Sequence, residues 1–189
     1  MRLLALIISL LTVATLAACG PVRPGEGGSP VSPVALANVL PAPAGLPSAP
    51  PAVAADVAEV QKELAGRADA EGVRRLEAAD LREGAIRRWA GPDGARVTVV
   101  VTRWSSRILA TNVSAAAAEQ LLAEPGARAW TPSAVPGSRG ARIDGPRPRL
   151  TLSRSVGPNG IFFRAEGPVT DAAVSRLMEL AVTAAEGGL

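Results

Sequence analysis

The chain has no histidine and no tyrosine, a single cysteine, and a single lysine, Lys62. Each scarcity closes a class of chemistry. Without histidine, Ser-His-Asp and Cys-His nucleophilic schemes and the usual zinc-hydrolase sites lose a required group. One cysteine leaves no intramolecular disulfide and no haem-attachment pair. No S-x-x-K reaches Lys62, no G-x-x-x-x-G-K occurs, and no G-x-G-x-x-G follows a strand, so lysine-dependent and phosphate-cradling signatures are missing too. Aromatic residues make up 3% of the sequence, two Phe and three Trp, which calls for an aliphatic core and leaves little for stacking on bases. Twenty basic residues face seventeen acidic ones, and the high pI near 10.3 reflects arginine without histidine or tyrosine rather than a dense positive field. Nucleic acid is therefore not an expected partner. Carboxylate pairs such as Glu77 with Asp80, or Glu83 with Asp93, are conceivable as acid and base, but acids beside turns are normally solvated. The expectation is a chain with no catalytic residues, no metal ligands and no cofactor.

What is present begins at the N-terminus. Arg2 precedes an apolar run from Leu3 to Leu16 and two small residues, Ala17 and Ala18, which is the plan of a signal peptide over residues 1–18. The run is shorter than the roughly 20 apolar residues a membrane-spanning helix needs. From Gly20 to Ala52 there follow nine prolines and five glycines, a composition that reads as a flexible tether over residues 19–52. Within it Val34 to Leu40 forms an apolar island without an assigned role. A single globular domain is expected over residues 53–189.

Leu16-Ala17-Ala18-Cys19 resembles the lipobox of bacterial lipoproteins. The resemblance implies cleavage before Cys19, with Leu16, Ala17 and Ala18 read by the signal peptidase, and a diacylglyceryl group on the Cys19 sulfur. Two acyl chains hold a protein on a bilayer, whereas one binds marginally. A lone thiol in an exported domain would otherwise have no partner. The implied location is the outer face of the cell membrane, with the membrane itself a partner through covalent lipid.

Farther along, Val53, Val57, Val60 and Leu64 recur at helical spacing up to Gly66, and a second short helix is expected around Glu71 to Ala79. The period then changes. Ala85–Ala90 and Arg96–Trp104 read as strands around Gly91-Pro92-Asp93-Gly94, and Leu150–Val156 and Ile161–Ala165 as strands around Gly157-Pro158-Asn159-Gly160. A single constant offset carries the first turn onto the second, Gly91 onto Gly157 and Gly94 onto Gly160, and each hairpin precedes an Ala-rich helix, Ser106–Ala123 and Asp171–Glu186. Two β-β-α units, with or without a duplication behind them, are the resulting reading. Thr170 is placed to cap the last helix, whose inward stripe would be Val174, Leu177, Met178, Ala181 and Val182. Arg128–Thr131 and Arg139–Ile143 are weaker strands joining the units. The fold class is α+β, an antiparallel sheet with helices on one face. Trp89, Trp104 and Trp130 are expected to anchor the core.

Arg88-Trp89-Ala90-Gly91-Pro92-Asp93-Gly94, the strand ending Arg103-Trp104 and the Ala-rich stretch after it resemble domains of unknown function in surface lipoproteins of high-GC bacteria. The resemblance is confined to that stretch of the chain and implies no activity.

Between Glu124 and Glu166 seven arginines stand against one acid, Asp144. Arg139, Arg142, Arg147, Arg149 and Arg154 are the candidate patch for an anionic partner, since guanidinium groups suit phosphates and carboxylates. Their alternative is the solvated face of a sheet. The expectation is a non-enzymatic, lipid-anchored extracytoplasmic domain binding an envelope protein or anionic surface component. The alternative is a carrier of a small hydrophobic ligand in a pocket lined by Leu, Val and Phe162 or Phe163, and a weaker third is a carboxylate-dependent hydrolase.

Overall fold

The computed structural model describes residues 31–66 and 69–187. Among these, seven strands form one sheet: β1 (Val53–Ala55), β2 (Leu81–Ala90), β3 (Arg96–Trp104), β4 (Ala127–Trp130), β5 (Arg139–Ile143), β6 (Arg149–Val156) and β7 (Asn159–Glu166). Every adjacent pair is antiparallel, in the order β1-β2-β3-β7-β6-β5-β4. The described helices are α1 (Pro33–Asn38), α2 (Val57–Ala65), α3 (Ala70–Ala78), α4 (Arg107–Leu122) and α5 (Asp171–Gly187). The α+β class and the antiparallel pairing read from the sequence are those observed.

Side chains alternate across a strand, so the register sorts the sheet into two faces. Ala85 and Trp89, Val97, Val99 and Val101, Ile161 and Phe163, and Leu150 and Leu152 share the first face and are buried. α1 and α5 cover it, α5 through Val174, Leu177, Met178, Ala181 and Val182, the stripe expected. Ile86, Val100 and Phe162 point the other way and pack with Val60 and Leu64 of α2 and Ala117 of α4. Helices thus lie on both faces, not on the single face expected. The consecutive buried valines Val99, Val100 and Val101 require it, because a strand apolar at successive positions must be covered on both sides.

The same fact bears on the echo between the two hairpins. β3 and β7 lie side by side and antiparallel, so a two-fold axis relating the hairpins would stand perpendicular to the sheet and keep both helices on one face. α4 and α5 sit on opposite faces. The turns differ as well. In the first hairpin Ala90 pairs with Arg96, the loop holds Pro92-Asp93, and Gly94 takes the left-handed conformation at φ +82°. In the second, Val156 pairs with Asn159 across Gly157-Pro158, and Gly157 has the positive φ, +56°. Gly160 lies within β7, where a Cβ would meet Thr102 Oγ1 at 2.6 Å. Four similar letters thus serve a glycine-closed turn in one place and close packing in the other, and the β-β-α units are equivalent in order but not in packing.

The domain also begins earlier than Val53. Leu36 and Ala37 are fully buried, Leu40 and Ala52 nearly so, and all belong to the main core. Arg87 explains how a proline-rich stretch stays in place. Its Nη1 donates to the carbonyls of Ala37 (3.2 Å), Asn38 (3.1 Å) and Leu40 (2.8 Å), and its Nε to that of Pro50 (3.1 Å). Helix C-termini leave unsatisfied carbonyls, and here a strand arginine supplies their donors. Asn38 Oδ1 accepts from the Ala52 amide at 2.7 Å, closing the loop. The tether expected over 19–52 is therefore structured from Val31 onward. Its apolar island is α1.

Val53–Ala55 form strand β1 on β2 rather than the first turn of α2. That helix starts at Val57 because Asp56 accepts from the Glu59 amide while the Glu59 side chain accepts from the Asp56 amide, a reciprocal cap. Gly66 ends it at φ +74°. Thr170 caps α5 as expected, its Oγ1 accepting from the Ala173 amide at 3.2 Å.

Candidate functional site

A concavity of about 940 Å³ lies on the second face of the sheet, between the α2–α3 pair and α4. One wall is a stripe of α4. Leu109, Asn112, Val113, Ala116, Ala117 and Gln120 follow one another at helical steps, so they share a side of the helix. Small residues set this helix close to the sheet: Ala110, Ala117 and Ala118 are buried, and Ser153 Oγ donates to the Ser114 carbonyl at 2.6 Å. The opposite wall comes from Leu64 of α2 and Leu76 and Arg75 of α3. Buried Gln61 joins those two helices, its Oε1 accepting from the Asp69 amide at 3.2 Å while Gly72 lies against its amide group.

α3 is capped by Asp69, whose Oδ1 accepts from the Gly72 amide at 2.7 Å, yet none of its nine residues is buried. Its exposed residues Glu71, Arg74 and Arg75 form a small ion-pair network, with Arg74 and the cleft-lining Arg75 both paired to Glu71. Its apolar residue Leu76 faces the cleft, half-buried. Leu76 packs at the edge of the cluster of Val60, Leu64 and Phe162, so α3 is an amphipathic wall joined to the core on one side and open to the cleft on the other.

The floor is supplied by the sheet: Phe162, Arg164 and Glu166 of β7 and Arg149 and Thr151 of β6. Phe162 is 4% exposed and Thr151 5%, and the Thr151 hydroxyl is buried without a hydrogen-bond partner. A buried orphan hydroxyl costs on the order of 1–3 kcal/mol. The Arg164 guanidinium lies over the Phe162 ring at 5.9 Å and forms no ion pair with any described residue. Arg149 is held by both oxygens of Glu124.

The five arginines marked from the sequence do not form one patch. Arg142 and Arg154 project from the first face, Arg139 and Arg149 from the second, and Arg147 sits in the exposed β5–β6 loop. Arg142 pairs with Asp144 and Asp171, Arg149 with Glu124, and Arg154 with Glu186 while donating to the Pro136 carbonyl. The hydrogen bond to Asp144 raises the Arg142 pKa above its ordinary value, opposed by desolvation and aided by the charges of Asp171 and Asp144. These pairings occupy three of the five guanidinium groups that an anionic partner would have used, and leave the exposed Arg139 and Arg147 on separate parts of the surface.

Other sequence candidates are dispersed. Asp80 pairs with Arg82 and Glu83 with Arg103, Asp93 accepts from the Ala95 amide in its turn, Glu77 is exposed, and none lines the cleft. Trp89 and Trp104 are core residues, 1% and 2% exposed, while Trp130 is half-buried on β4 beside Gly140. Of the two phenylalanines, Phe162 floors the cleft and Phe163 enters the opposite core. Leu16, Ala17, Ala18 and Cys19 lie outside the described residues. Among those described, no helix is long and apolar enough to cross a membrane.

The fold and cleft define an α+β domain with a two-sided helical cover. No protein-family model and no curated protein matches the sequence. Among solved structures the chain is similar to the extracellular domain of PknH from Mycobacterium tuberculosis, with a TM-score of 0.49 and 8% identity over 72% of this chain and 78% of that one.

Proposed function

We propose that the chain is a lipid-anchored extracytoplasmic binding domain that holds a small amphipathic molecule in the cleft between α3 and α4. The observation that carries this reading is the cleft itself, which has the size of a small-molecule site and is walled by Leu64, Leu76, Leu109 and Val113 over a Phe162 floor. It favours ligand capture over the broader arginine-surface reading, since three of the five marked arginines are engaged by acids. No catalytic role is assigned.

The lipobox-like Cys19 supports the anchor. Only residues 20–30 would separate an acylated Cys19 from the first described residue, Val31. Such a stretch spans at most about 40 Å when fully extended. The domain would then work close to the bilayer, where amphiphiles are concentrated.

Titration of the full chain with N-phenyl-1-naphthylamine, an uncharged apolar dye, tests the cleft. Saturable one-to-one binding is expected, lost in Val113→Asp and retained in Arg142→Gln on the other face. Failure to saturate, or equal binding by both variants, would overturn the reading. In the producing cell, a fatty-acid probe should label the wild type but not Cys19→Ser, which should appear in the medium. An unlabelled wild type would remove the anchor.

A further inference from the structure

The register of the sheet says what chemistry the cleft floor presents. β3, β7 and β6 lie side by side, and Thr98, Arg164 and Thr151 are directly opposed, all on the second face. A guanidinium is thus set between two threonines. The next row on that face is Arg96, Glu166 and Arg149. Its one strand acid is flanked by two arginines across distances of about 5 Å between backbones. Arg149 is already held by Glu124, Glu166 stands opposite Arg96, and Arg164, two positions from Glu166 on the same face, forms no ion pair among the described residues.

The described charged residues lining the cleft are Arg75, Arg149 and Arg164, and Asp69, Glu124 and Glu166. Arg75 pairs with Glu71, and Asp69 caps α3. Among them the basic group left for a ligand is Arg164. Beside it stands Thr151, whose buried hydroxyl has no partner. Covering Arg164 with an apolar ligand alone would be unfavourable and would leave the already buried Thr151 hydroxyl unpaired, whereas an anionic oxygen satisfies both. The apolar walls continue from this point along α4 through Val113 to Leu109, and across to Leu76.

We infer that the cleft takes amphiphiles with an anionic head, carboxylate or phosphate, bound at Arg164 and Thr151 with the chain lying between α3 and α4, an assignment that rests on the cleft being the binding site. Fatty acids and monoacyl phosphates share this chemistry. Simple anions lack the tail, and long-chain alcohols lack the charge.

Displacement of N-phenyl-1-naphthylamine from the full chain separates these cases, using dodecanoate, dodecyl phosphate, dodecanol and inorganic phosphate as competitors. Both dodecyl anions are expected to displace the dye at concentrations about tenfold below dodecanol, the scale of one charge-assisted hydrogen bond. Inorganic phosphate is expected to displace nothing. Arg164→Gln should bring the dodecyl compounds together, and Thr151→Val should narrow the gap without lowering stability, because it removes a hydroxyl that has no partner. Emission from buried Trp89 and Trp104 reports whether each variant is folded. Equal potency of dodecanol in the wild type, an undiminished gap in Arg164→Gln, or displacement by inorganic phosphate alone would overturn the inference while leaving the cleft as the dye site. Absence of dye binding in the wild type would instead remove the cleft reading itself.

Discussion

Arg87 does at one position what a run of side chains usually does at a helix end. It gathers the carbonyls of Ala37, Asn38, Leu40 and Pro50 and lies over the Trp89 ring at 5.0 Å, so one half-buried residue adds polar ties to β2 beside the burial of Leu36 and Leu40. Arg87→Met keeps much of the stem but strips the donors. We expect a loss of about 2 kcal/mol in urea unfolding of the full chain, with 31–52 becoming the first segment cut by a protease. A change below about 0.5 kcal/mol would mean that Leu36 and Leu40 hold the segment unaided. Legibility at the residue scale was uneven for a physical reason. Arg149 and Arg154 are five apart on one strand and Arg139 and Arg142 three apart on another, and odd separations point to opposite faces. Parity alone divides the arginine patch. Arg164 is different, because its importance comes from Thr98 and Thr151, which are distant in sequence and meet it only through strand pairing.

Elements with a strong internal period were the readable ones. α5 shows its buried stripe in the sequence, and both long hairpins show theirs in branched residues and turn chemistry. The side of the sheet on which a helix lands is not a local property. It follows from which strand face is apolar, and in β3 both are. α1 was obscured by composition: a helix so short among prolines carries too little period to register, and its stability comes from burial of Leu36 and from Arg87 rather than from helical propensity. α3 stands at the other extreme. It has a clear cap and amphipathic pattern but no buried residue. Few buried contacts make an element open locally at low free-energy cost. Its amides should therefore exchange with deuterium faster than the central amides of α5, and should slow when dodecanoate fills the cleft. Exchange of α3 as slow as that of α5 would show that the wall is already held by contacts of its own.

At the scale of the whole molecule the sheet divides two tasks. The first face is closed by α1 and α5 over an aliphatic and aromatic core, and it gives the domain its stability. The second is covered by a smaller cluster from α2 and α4 and remains open over Phe162, Thr151 and Arg164. This division accounts for where so few aromatics are placed: Trp89 and Phe163 go to the closed side, Trp104 sits by Gly160 and Ser114 beneath α4, and Phe162 floors the cleft. The most direct measurement is a backbone amide chemical-shift map of the full chain with and without dodecanoate. Shifts concentrated at Leu76, Leu109, Val113, Thr151, Phe162 and Arg164, with α1 and α5 unmoved, are the predicted result. Shifts clustered on the α1–α5 side, or scattered over exposed arginines on both faces, would contradict the assignment of the cleft as the binding site.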